Sequence, residues 1–468
     1  MDFETYQSPF SWRYGSDELR AIWSEDHKRR TWRRLWVALA EAQAAYGIVS
    51  EEQVADLRAH AGQIDISRAL QIEAEIHHDL MAEIKTFAEQ CPIGGGIIHL
   101  GATSMDIVDN ADALRVQRSL QLIREKLARL VVSLLGKVEA YAATPIIAMT
   151  HIQPAEPSTL GYRLAVYAQD LLTDWEQLAG IAAGYKAKGF KGAVGTAAAY
   201  TDLVGMENFT DFENLLSEKL GIEFFQVSTQ TYPRKQDLHL ANALASLGAS
   251  LYKFAFDLRI LQSPPIGELS EPFRAKQVGS SAMPFKRNPV NAEKLNSLGR
   301  LLAQMPRTAW DNAAHSLLER TLDDSANRRT VLPETFLLAD EMLITAARVI
   351  EGLMVNEQAI AANLHTYGPF AATEKILIAA VMQGGDRQSL HELLRKHALQ
   401  AWEAVQNGQP NPLAVNLRQD PALLEYLSAE QITAMMDVRT HTGIAGQRAR
   451  QIAEQAVEIR NWLDQNSS

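Results

Sequence analysis

The most constraining feature of the sequence is a run of apolar residues, from about residue 234 to residue 262, spaced alternately four and three positions apart. The run consists of Leu240, Leu244, Leu247, Leu251, Phe254, Leu258 and Leu261. This spacing places the apolar side chains on one face of an α-helix, as in the seam of a helical bundle. A helix of about 28 residues is about 42 Å long and exceeds the width of an ordinary domain. We therefore expect a long helix whose apolar face is buried against helices of other subunits.

Two further segments repeat this pattern, from about residue 112 to residue 141 and from about residue 333 to residue 353. Their apolar positions are Leu120, Ile123, Leu127, Leu130, Leu134, Val138 and Tyr141, and then Ala339, Leu343, Ala346, Ile350 and Leu353. Glycine and proline, which interrupt regular structure, contribute only 27 and 17 of the 468 residues. Strand signals are scarce, and Phe224–Thr229 is a short candidate. The sequence therefore predicts an all-α fold.

The rest of the chain divides around these long helices. A first helix is expected from Ser24, which can cap it, to Tyr46, with Gly47 ending it. Ser50 and Gln53 form the pattern of a capping box for the next helix. We predict an N-terminal helical domain over residues 1–111, a central long-helix domain over 112–353 and a C-terminal helical domain over 354–468. In the last of these, breaks are expected at Gly368-Pro369, at Gly384-Gly385 and at residues 407–412.

Composition excludes several classes of protein. The net charge of −11 makes the chain a poor partner for nucleic acid or for an anionic membrane. Cys91 is the one cysteine, so a secreted scaffold stapled by internal disulfides is excluded. The opening sequence, MDFETYQSPFSW, lacks the pattern of a signal peptide, and no apolar run has the length of a transmembrane helix. These features predict a cytoplasmic protein.

The sequence gives no sign of a metal or a bound cofactor. The adjacent residues His77-His78-Asp79 do not share one face of a helix, and no spacing typical of a zinc site accompanies them. The glycines at 189, 192 and 195 match neither a dinucleotide fingerprint nor a P-loop. We therefore expect that the protein uses neither a metal nor a cofactor.

The most informative polar segment is Gly279–Pro289, GSSAMPFKRNP, which lies between two predicted helices. Its backbone amides can form an anion-binding concavity, to which Lys286 adds positive charge. A serine hydroxyl in such a positive potential loses its proton more readily than it does in water. The alternative is a flexible, solvated linker, which the composition alone does not exclude.

Three other segments could also carry chemistry. Met149–Thr159 contains His151 just before two prolines, and histidine is the usual general acid or base near neutral pH. The alternative for His151 is a loop histidine bonded to backbone groups. Glu319–Arg329 mixes arginines with aspartates, which is typical of an anion site or of a surface ion-pair cluster. Ala102–Asp112 places Thr103 and Ser104 before a long helix, where they could bind substrate or simply cap the helix.

Taken together, these segments resemble the fumarase/aspartase superfamily and, within it, the adenylosuccinate lyase family. The likeness includes SPFSWRY (8–14), TWRRLWVALAEA (31–42), GIIHLGATS (96–104), MTHIQPAEPST (149–159), TQTYPRKQD (229–237), GSSAMPFKRNP (279–289) and ERTLDDSANRR (319–329). It covers the first two predicted domains almost fully and the third more loosely. The resemblance implies an all-α fold of three domains, whose long central helices form a twenty-helix core in a homotetramer with shared active sites.

The resemblance also implies a reaction, the elimination of fumarate from adenylosuccinate to give AMP and from SAICAR to give AICAR. Ser280 would be the base, assisted by Lys286, and His151 the acid, supported by His78. The positions implied for substrate binding are Arg13, Tyr14, His77, His78, Asp79, Thr103, Ser104, Gln230, Lys286, Asn288, Lys294, Arg320, Ser325 and Arg329. No cofactor or metal is implied.

Two of these positions depart from the pattern of the family. His77 and Lys294 stand where an arginine is expected, so each lacks a fixed guanidinium fork. Since neither is the expected acid or base, the departures bear on affinity more than on the type of reaction.

Two other functions compete with this interpretation. The first is another lyase of the superfamily, such as an argininosuccinate lyase, against which the segments TQTYPRKQD and LDDSANRR argue. The second is a helical assembly protein that has lost activity, against which the presence of Ser280, His151 and Lys286 argues. A panel of substrates distinguishes the three.

Overall fold

A computed structural model describes residues 4–274 and 276–466 of the chain. It confirms the mainly helical fold and the three long helices, which are α6 (Ser104–Ala140), α10 (Lys235–Leu261) and α13 (Ser325–Glu351). The helices before α6 are α1 (Asp17–Ile22), α2 (Glu25–Ala45), α3 (Glu51–His60), α4 (Ile66–Ile76) and α5 (Asp79–Gln90). Those between α6 and α13 are α7 (Leu160–Gly184), α8 (Ala198–Val204), α9 (Phe209–Leu220), α10, α11 (Val290–Leu302) and α12 (Met305–Ala314).

The helices after α13 are at least seven residues shorter than α13, with one exception. They are α14 (Glu357–Met382), α15 (Arg387–Gln406), α16 (Leu413–Gln419), α17 (Pro421–Leu424), α18 (Ala429–Met435), α19 (Ala445–Ala453) and α20 (Ala456–Asn466). The exception is α14, which continues through the break expected at Gly368-Pro369. A Cβ at Gly368 would lie 2.6 Å from Cγ2 of Val438, so this glycine serves close packing and does not end a helix.

Local signals located the ends of the N-terminal helices correctly. Oγ of Ser24 accepts the N–H of His27 at 3.2 Å and caps α2, and Gly47 follows the helix with φ +69°. Ser50 and Gln53 form both hydrogen bonds of the predicted capping box, at 3.2 and 2.9 Å. These bonds join residues three positions apart, which is why the sequence alone reveals them.

The long helices α6 and α13 begin earlier than the sequence predicted. Pro333 was expected at the start of α13, but it lies inside that helix, which begins at Ser325. A proline in a helix interior removes one backbone hydrogen bond and usually ends the helix. Here Leu332 and Phe336 beside it are buried, so tertiary packing overrides the local preference.

Two short antiparallel sheets accompany the helices. β1 (Pro145–Thr150) pairs with β2 (Gln153–Thr159), and β3 (Leu269–Ser270) pairs with β4 (Met354–Val355). The strand expected at Phe224–Thr229 is wrong, because only Phe224 forms a single bridge, with Ala187.

The described chain forms two compact units. The first contains the chain up to Lys126, Asp174–Ala249 and Leu298–Ile344, and the second contains Leu127–Thr173, Ser250–Ser297 and the chain from Thr345 onwards. Each unit therefore draws on separate stretches of sequence, and the division into three consecutive domains remains a prediction. No helix in the described residues has both the length and the apolar character of a membrane span.

The apolar seam of α10 is buried within a single chain, which corrects the expectation that other subunits cover it. All seven of its residues, from Leu240 to Leu261, are at most 8% exposed. In the second unit, for example, Phe254 packs edge-on against Tyr167 of α7 at a centroid distance of 5.5 Å. The exposed apolar residues of these two helices are different ones: Tyr162, Val166, Phe256 and Ile260.

Candidate active site

The first unit contains a cavity of about 520 Å³ that is lined by residues far apart in the sequence. Eight of the expected substrate-site residues line it: His77, His78, Asp79, Ser104, Gln230, Arg320, Ser325 and Arg329. They come from four separate segments of the chain, and helical residues such as Trp32 of α2 complete the wall. The fold thus collects most of the expected binding residues of the first unit at one place.

Three of these residues lie where α4 ends and α5 begins. His77 ends α4 in the left-handed conformation, with φ 54°, and thereby turns the chain. His78 is the N-cap of α5, and its Nδ1 accepts the N–H of Met81 at 3.3 Å. Because Nδ1 is an acceptor, the proton of the neutral ring lies on Nε2. His78 can therefore donate a hydrogen bond through Nε2.

Asp79 and Arg329 form an ion pair at the wall of the cavity. Nη2 of Arg329 lies 2.7 Å from Oδ2 of Asp79. Burial opposes the ionisation of Asp79, but the charge of Arg329 and the N–H of Leu80 outweigh it and hold the pKa of Asp79 below its usual value. Arg329 remains more than half exposed and keeps further N–H groups for a bound anion.

A buried group of ionic residues supports Arg320. We call it the ionic floor, and its members are Asp109, Arg234, Asp237, Asp324 and Arg328. Arg234 donates to both carboxylate oxygens of Asp109 at 3.0 Å, and its Nε donates to Asp324 at 2.6 Å. Asp324 also accepts a hydrogen bond from Arg320 at 2.8 Å. The ionic floor therefore fixes the position of the Arg320 guanidinium.

Opposite charges compensate one another within the ionic floor. Burial opposes the ionisation of Asp324, yet the charges of Arg234 and Arg320 hold the pKa of Asp324 below its usual value. Nε of Arg328 lies 2.9 Å from Oδ2 of Asp237, and its Nη2 donates to the hydroxyl of Tyr232 at 2.7 Å. Each buried charge named here thus has an opposite charge within hydrogen-bond distance.

The sequence did not identify the ionic floor as part of the site. Arg234 lies within TQTYPRKQD, and Asp324 and Arg328 lie within ERTLDDSANRR, so the motifs indicated only the neighbourhood. The pairs join residues that are 90, 91 and 125 positions apart. No spacing rule predicts contacts at such separations.

The loop before α6 is fixed by Asp106. The N–H of Thr103 donates to Oδ2 of this buried carboxylate at 3.0 Å, and Lys188 pairs with its other oxygen. These contacts start α6 at Ser104, which lines the cavity, whereas Thr103 is not among the lining residues.

His99, in the same loop, was not expected to be a functional residue. The indole Nε1–H of Trp36 donates to Nδ1 of His99 at 3.1 Å. Burial lowers the pKa of His99 to about 4, and the nearby His78 acts in the same direction while Asp106 opposes it. His99 is therefore neutral near pH 7, next to a cavity that contains His78.

Arg13 and Tyr14 follow a 3-10 turn at Pro9–Ser11 and do not line the cavity. The Arg13 guanidinium lies 5.6 Å from the ring centroid of Trp12 and 6.0 Å from that of Tyr14. The backbone carbonyl of Tyr14 accepts a hydrogen bond from Arg20 at 3.0 Å. The expected contact of these two residues with a nucleotide stays a prediction.

His151 lies at the tip of the β1–β2 hairpin, in the second unit. Thr150 pairs with Gln153, so His151 and Ile152 form a two-residue turn, with φ 53° and 59°. Positive φ at both central residues is the conformation of a type I′ hairpin turn, which normally favours asparagine and glycine. For a β-branched residue such as Ile152 it is strained, and strained turns often present functional groups. The turn leaves the His151 side chain exposed.

Ser280 lies in the loop between β3 and α11, also in the second unit. Its Oγ accepts the N–H of Met283 at 3.1 Å and that of Ala282 at 3.4 Å. Two N–H groups directed at one hydroxyl oxygen stabilise negative charge on it. The loop can therefore hold the Ser280 hydroxyl in an environment suited to an alkoxide.

The same loop is closed by two further contacts. Nδ2 of Asn288 donates to the carbonyl of Gly279 at 2.8 Å, and a Cβ at Gly279 would lie only 2.1 Å from the carbonyl oxygen of Lys286. Only glycine permits so close an approach. Lys286 and Asn288 line a cavity of about 520 Å³ within the second unit, and Lys294 lies on α11. The structure thus places the expected acid and base in the second unit and most expected binding residues in the first.

The chain matches known proteins over most of its length. Residues 13–301 match a family described as "Lyase", and residues 369–452 match one described as "Adenylosuccinate lyase C-terminus". Proteins named adenylosuccinate lyase are similar to it in Schistosoma mansoni, with 39% identity over 90% of this chain and 88% of the relative, and in Saccharomyces cerevisiae, with 35% identity over 97% and 95%. The protein of that name in Pyrococcus abyssi is 34% identical over 96% of this chain and 97% of the relative.

Solved structures share the fold. The 3-carboxy-cis,cis-muconate lactonizing enzyme of Pseudomonas putida superposes with a TM-score of 0.85 at 24% identity, over 97% of this chain and 100% of that one. Fumarate lyase from Mesorhizobium sp. BNC1 superposes with a TM-score of 0.83 at 24% identity, over 96% of this chain and 99% of that one. These structures show the fold, while the matched family and the more similar relatives show the family. The chain belongs to the adenylosuccinate lyase family.

Proposed function

We propose that this protein is a carbon–nitrogen lyase that eliminates fumarate from adenylosuccinate to give AMP, and from SAICAR to give AICAR. The observation that carries the proposal is the cavity of the first unit, at which residues of four expected motifs converge. Its arginines suit a substrate that bears one phosphate and two carboxylates.

The elimination requires two proton transfers. Ser280, as the alkoxide, takes the proton from the carbon next to the succinyl carboxylate, and the electron pair left on that carbon forms the double bond of fumarate. The C–N bond breaks, and His151 donates its proton to the departing nitrogen of AMP. Lys286 and the N–H groups of Met283 and Ala282 stabilise the Ser280 alkoxide. Transfer of a proton from Ser280 back to His151, through solvent, restores both groups.

The remaining residues bind substrate. Arg320, Ser325 and Arg329 line the cavity and suit the phosphate. The succinyl group is assigned to Thr103, Ser104, Gln230, Lys286 and Asn288, and the nucleotide also to Arg13 and Tyr14. His78 supports the acid and Asp79 positions the substrate through Arg329. His77 and Lys294 supply weaker contacts than the arginines expected there.

We further propose a cytoplasmic homotetramer in which neighbouring chains share each active site. Two features support it. The expected acid and base belong to one compact unit, and most expected binding residues belong to the other. In the second unit, Tyr162 and Val166 of α7 and Phe256 and Ile260 of α10 expose apolar surface that a partner chain would cover. The single cysteine is typical of a protein of the reducing cytoplasm.

The assay that tests the activity mixes purified protein with adenylosuccinate and follows the ultraviolet change as the purine amine becomes free. SAICAR and argininosuccinate are tested in parallel. Turnover of adenylosuccinate and SAICAR alone supports the proposal, whereas turnover of argininosuccinate alone, or of none of the three, refutes it.

Light scattering tests the assembly, and a monomer at micromolar concentration refutes it. Sharing of sites is tested by mixing inactive His151→Ala and Ser280→Ala proteins under conditions of subunit exchange. Some mixed sites then contain both intact residues, so part of the activity should return. Exchange seen by mass spectrometry without any activity contradicts shared sites.

A further inference from the structure

A second chemically distinct cluster lies in the first unit, at the junction of α3 and α5. Its members are Asp56, His60 and Cys91, and one potential ligand atom of each lies within 4.8 Å of those of the other two. Among the described residues this is the one such group of three histidine, cysteine or acidic side chains. None of the three lines the cavity assigned to substrate.

The cluster is formed by two elements. Asp56 and His60 are four positions apart on α3, so both side chains lie on one face of that helix. Nδ1 of His60 lies 3.2 Å from Oδ1 of Asp56 and 2.9 Å from the Asp56 carbonyl. Cys91 is the C-cap of α5 and comes from 31 residues further along the chain. Sequence spacing alone therefore did not reveal the group.

The side chains of Asp56 and Cys91 are sheltered from solvent, and that of His60 is partly exposed. The side chains of Asp56 and His60 are 7% and 28% exposed, and Cys91 is 2% exposed. The nearby Arg33 pairs with Glu83, whose carboxylate lies 2.7 Å from its Nε and also 2.7 Å from Nη1 of Arg29. A thiolate, a carboxylate and a neutral imidazole would together balance the charge of one divalent cation.

We propose that Asp56, His60 and Cys91 bind one Zn²⁺ ion. Sulfur, nitrogen and oxygen ligands surround zinc at about 2.0–2.3 Å, so ligand atoms in such a site are about 3.3–3.8 Å apart. Ligand atoms that now lie up to 4.8 Å apart would therefore have to approach one another by about 1–1.5 Å when the ion binds. Binding displaces the thiol proton of Cys91 to solvent, and a water molecule takes the fourth position.

The site would act on the loop that leads to the substrate cavity. Oδ2 of Asp56 already accepts the N–H groups of Ile93 and Gly94, at 2.9 and 2.7 Å. Zinc would add a bond at Cys91, where this loop begins, and the loop ends at Thr103, next to Ser104 of the cavity wall. We therefore assign the ion a structural role, which is to hold the loop between Cys91 and Thr103.

The test uses the purified, full-length protein and Co²⁺ as a spectroscopic substitute for Zn²⁺. Cys91 is the only cysteine, so a thiolate-to-cobalt charge-transfer band can come from no other residue. We expect this band to saturate at one Co²⁺ per chain and to disappear when Zn²⁺ is added. Zn²⁺ should also raise the melting temperature and slow hydrogen exchange in residues 92–103.

The variants identify the ligands. Cys91→Ser should abolish the band, and His60→Gln and Asp56→Asn should each weaken Co²⁺ binding by at least about tenfold. The matched control is His315→Gln, because His315, which directly follows α12, forms a similar pair with Asp311 four positions earlier, with its Nδ1 3.0 Å from the Asp311 carbonyl. That control should bind Co²⁺ as the unchanged protein does.

Three results would overturn the proposal. They are the absence of a charge-transfer band in the unchanged protein, Zn²⁺ binding of equal affinity in Cys91→Ser, and equal weakening by His315→Gln and His60→Gln. Circular dichroism of each variant shows whether it is folded, and His60→Gln, which alters only one partly exposed side chain, keeps the test valid if Cys91→Ser is unstable. Because all of these readouts are independent of turnover, failure here leaves the proposed lyase activity unaffected.

Discussion

The two units hold their functional groups in opposite ways. The first contains the ionic floor, and the second contains the segments with His151 and Ser280, the proposed acid and base. Arg234 is 1% exposed at its side chain and contacts two carboxylates, so its position is fixed from several directions. His151 instead lies exposed at a hairpin tip, and Ser280 is oriented by N–H groups of its own loop. The expected binding residues are thus held in place within one unit, whereas the proposed acid and base need a covering surface before water is excluded from them.

The largest effect is expected from removing Ser280, the proposed base. Ser280→Ala should fold normally, because a loop hydroxyl adds little to stability, while turnover falls by about a thousandfold or more and substrate still binds. Steady-state kinetics and equilibrium binding measure both. The neighbouring Ser281→Ala is the matched control and should keep turnover within about tenfold. If Ser280→Ala keeps more than about a tenth of the turnover, a loss of less than about 1.4 kcal/mol, then Ser280 is not the base.

The next largest effect is expected from removing His151, the proposed acid. His151→Ala should lower turnover by about a hundredfold to ten-thousandfold and remove one limb of the pH–rate profile. His391→Ala, which alters an exposed histidine of α15, provides the control and should leave the profile unchanged. A normal pH–rate profile in His151→Ala would exclude this histidine from proton transfer.

Removing a charge from the ionic floor should lower the unfolding free energy of the protein. Arg234→Met leaves Asp109 and Asp324 without their main buried partner and should cost about 3–5 kcal/mol of unfolding free energy. The control is Arg30→Met, because the Arg30–Asp26 pair is about half exposed on both sides and should contribute less than about 1 kcal/mol. Denaturant unfolding measures both. Equal losses of unfolding free energy in the two variants would mean that buried ion pairs do not stabilise the ionic floor more than exposed ones stabilise the surface.

The smallest effect expected is a pH dependence from His99. Its folded pKa of about 4 lies below the ordinary 6.5, so the unfolded chain gains a proton first as the pH falls. Stability should therefore be complete above about pH 6.5 and decrease by up to about 3 kcal/mol as the pH falls to about 4. His99→Gln should flatten the curve in this window, as unfolding at several pH values would show. If the unfolding free energy of His99→Gln changes with pH as steeply as that of the unchanged protein, other groups cause the pH dependence.

The sequence predicts a structural feature well when the contacts that determine it join residues close together along the chain. The caps at Ser24 and Ser50 join neighbouring residues, and the seam of α10 repeats within one helix, so both were predicted correctly. Pro333 and Gly368 were misread as helix boundaries, because the packing around Leu332 and against Val438 overrides their local preference. Packing within the chain also covers the α10 seam, which the length of one helix cannot reveal.

In the candidate site, too, the sequence indicated some features and missed others. The motifs contain the lining residues Gln230 and Arg320, and the family resemblance also implied His78, because such a resemblance transfers from residue to residue. The β1–β2 hairpin was missed, because a type I′ turn at His151-Ile152 lacks the usual asparagine or glycine. The pairing of Arg234 with Asp109, 125 positions away, depends on the complete fold.

The single, buried cysteine also makes this chain convenient for chemical labelling. Cys91 is 2% exposed, so a maleimide dye should react with the folded protein very slowly. A cysteine introduced in place of Phe285, which is 84% exposed in the loop that carries Ser280, would then be the one reactive thiol without any background to remove. The fluorescence of a dye at that position would report directly when the loop becomes covered as substrate binds or as subunits assemble.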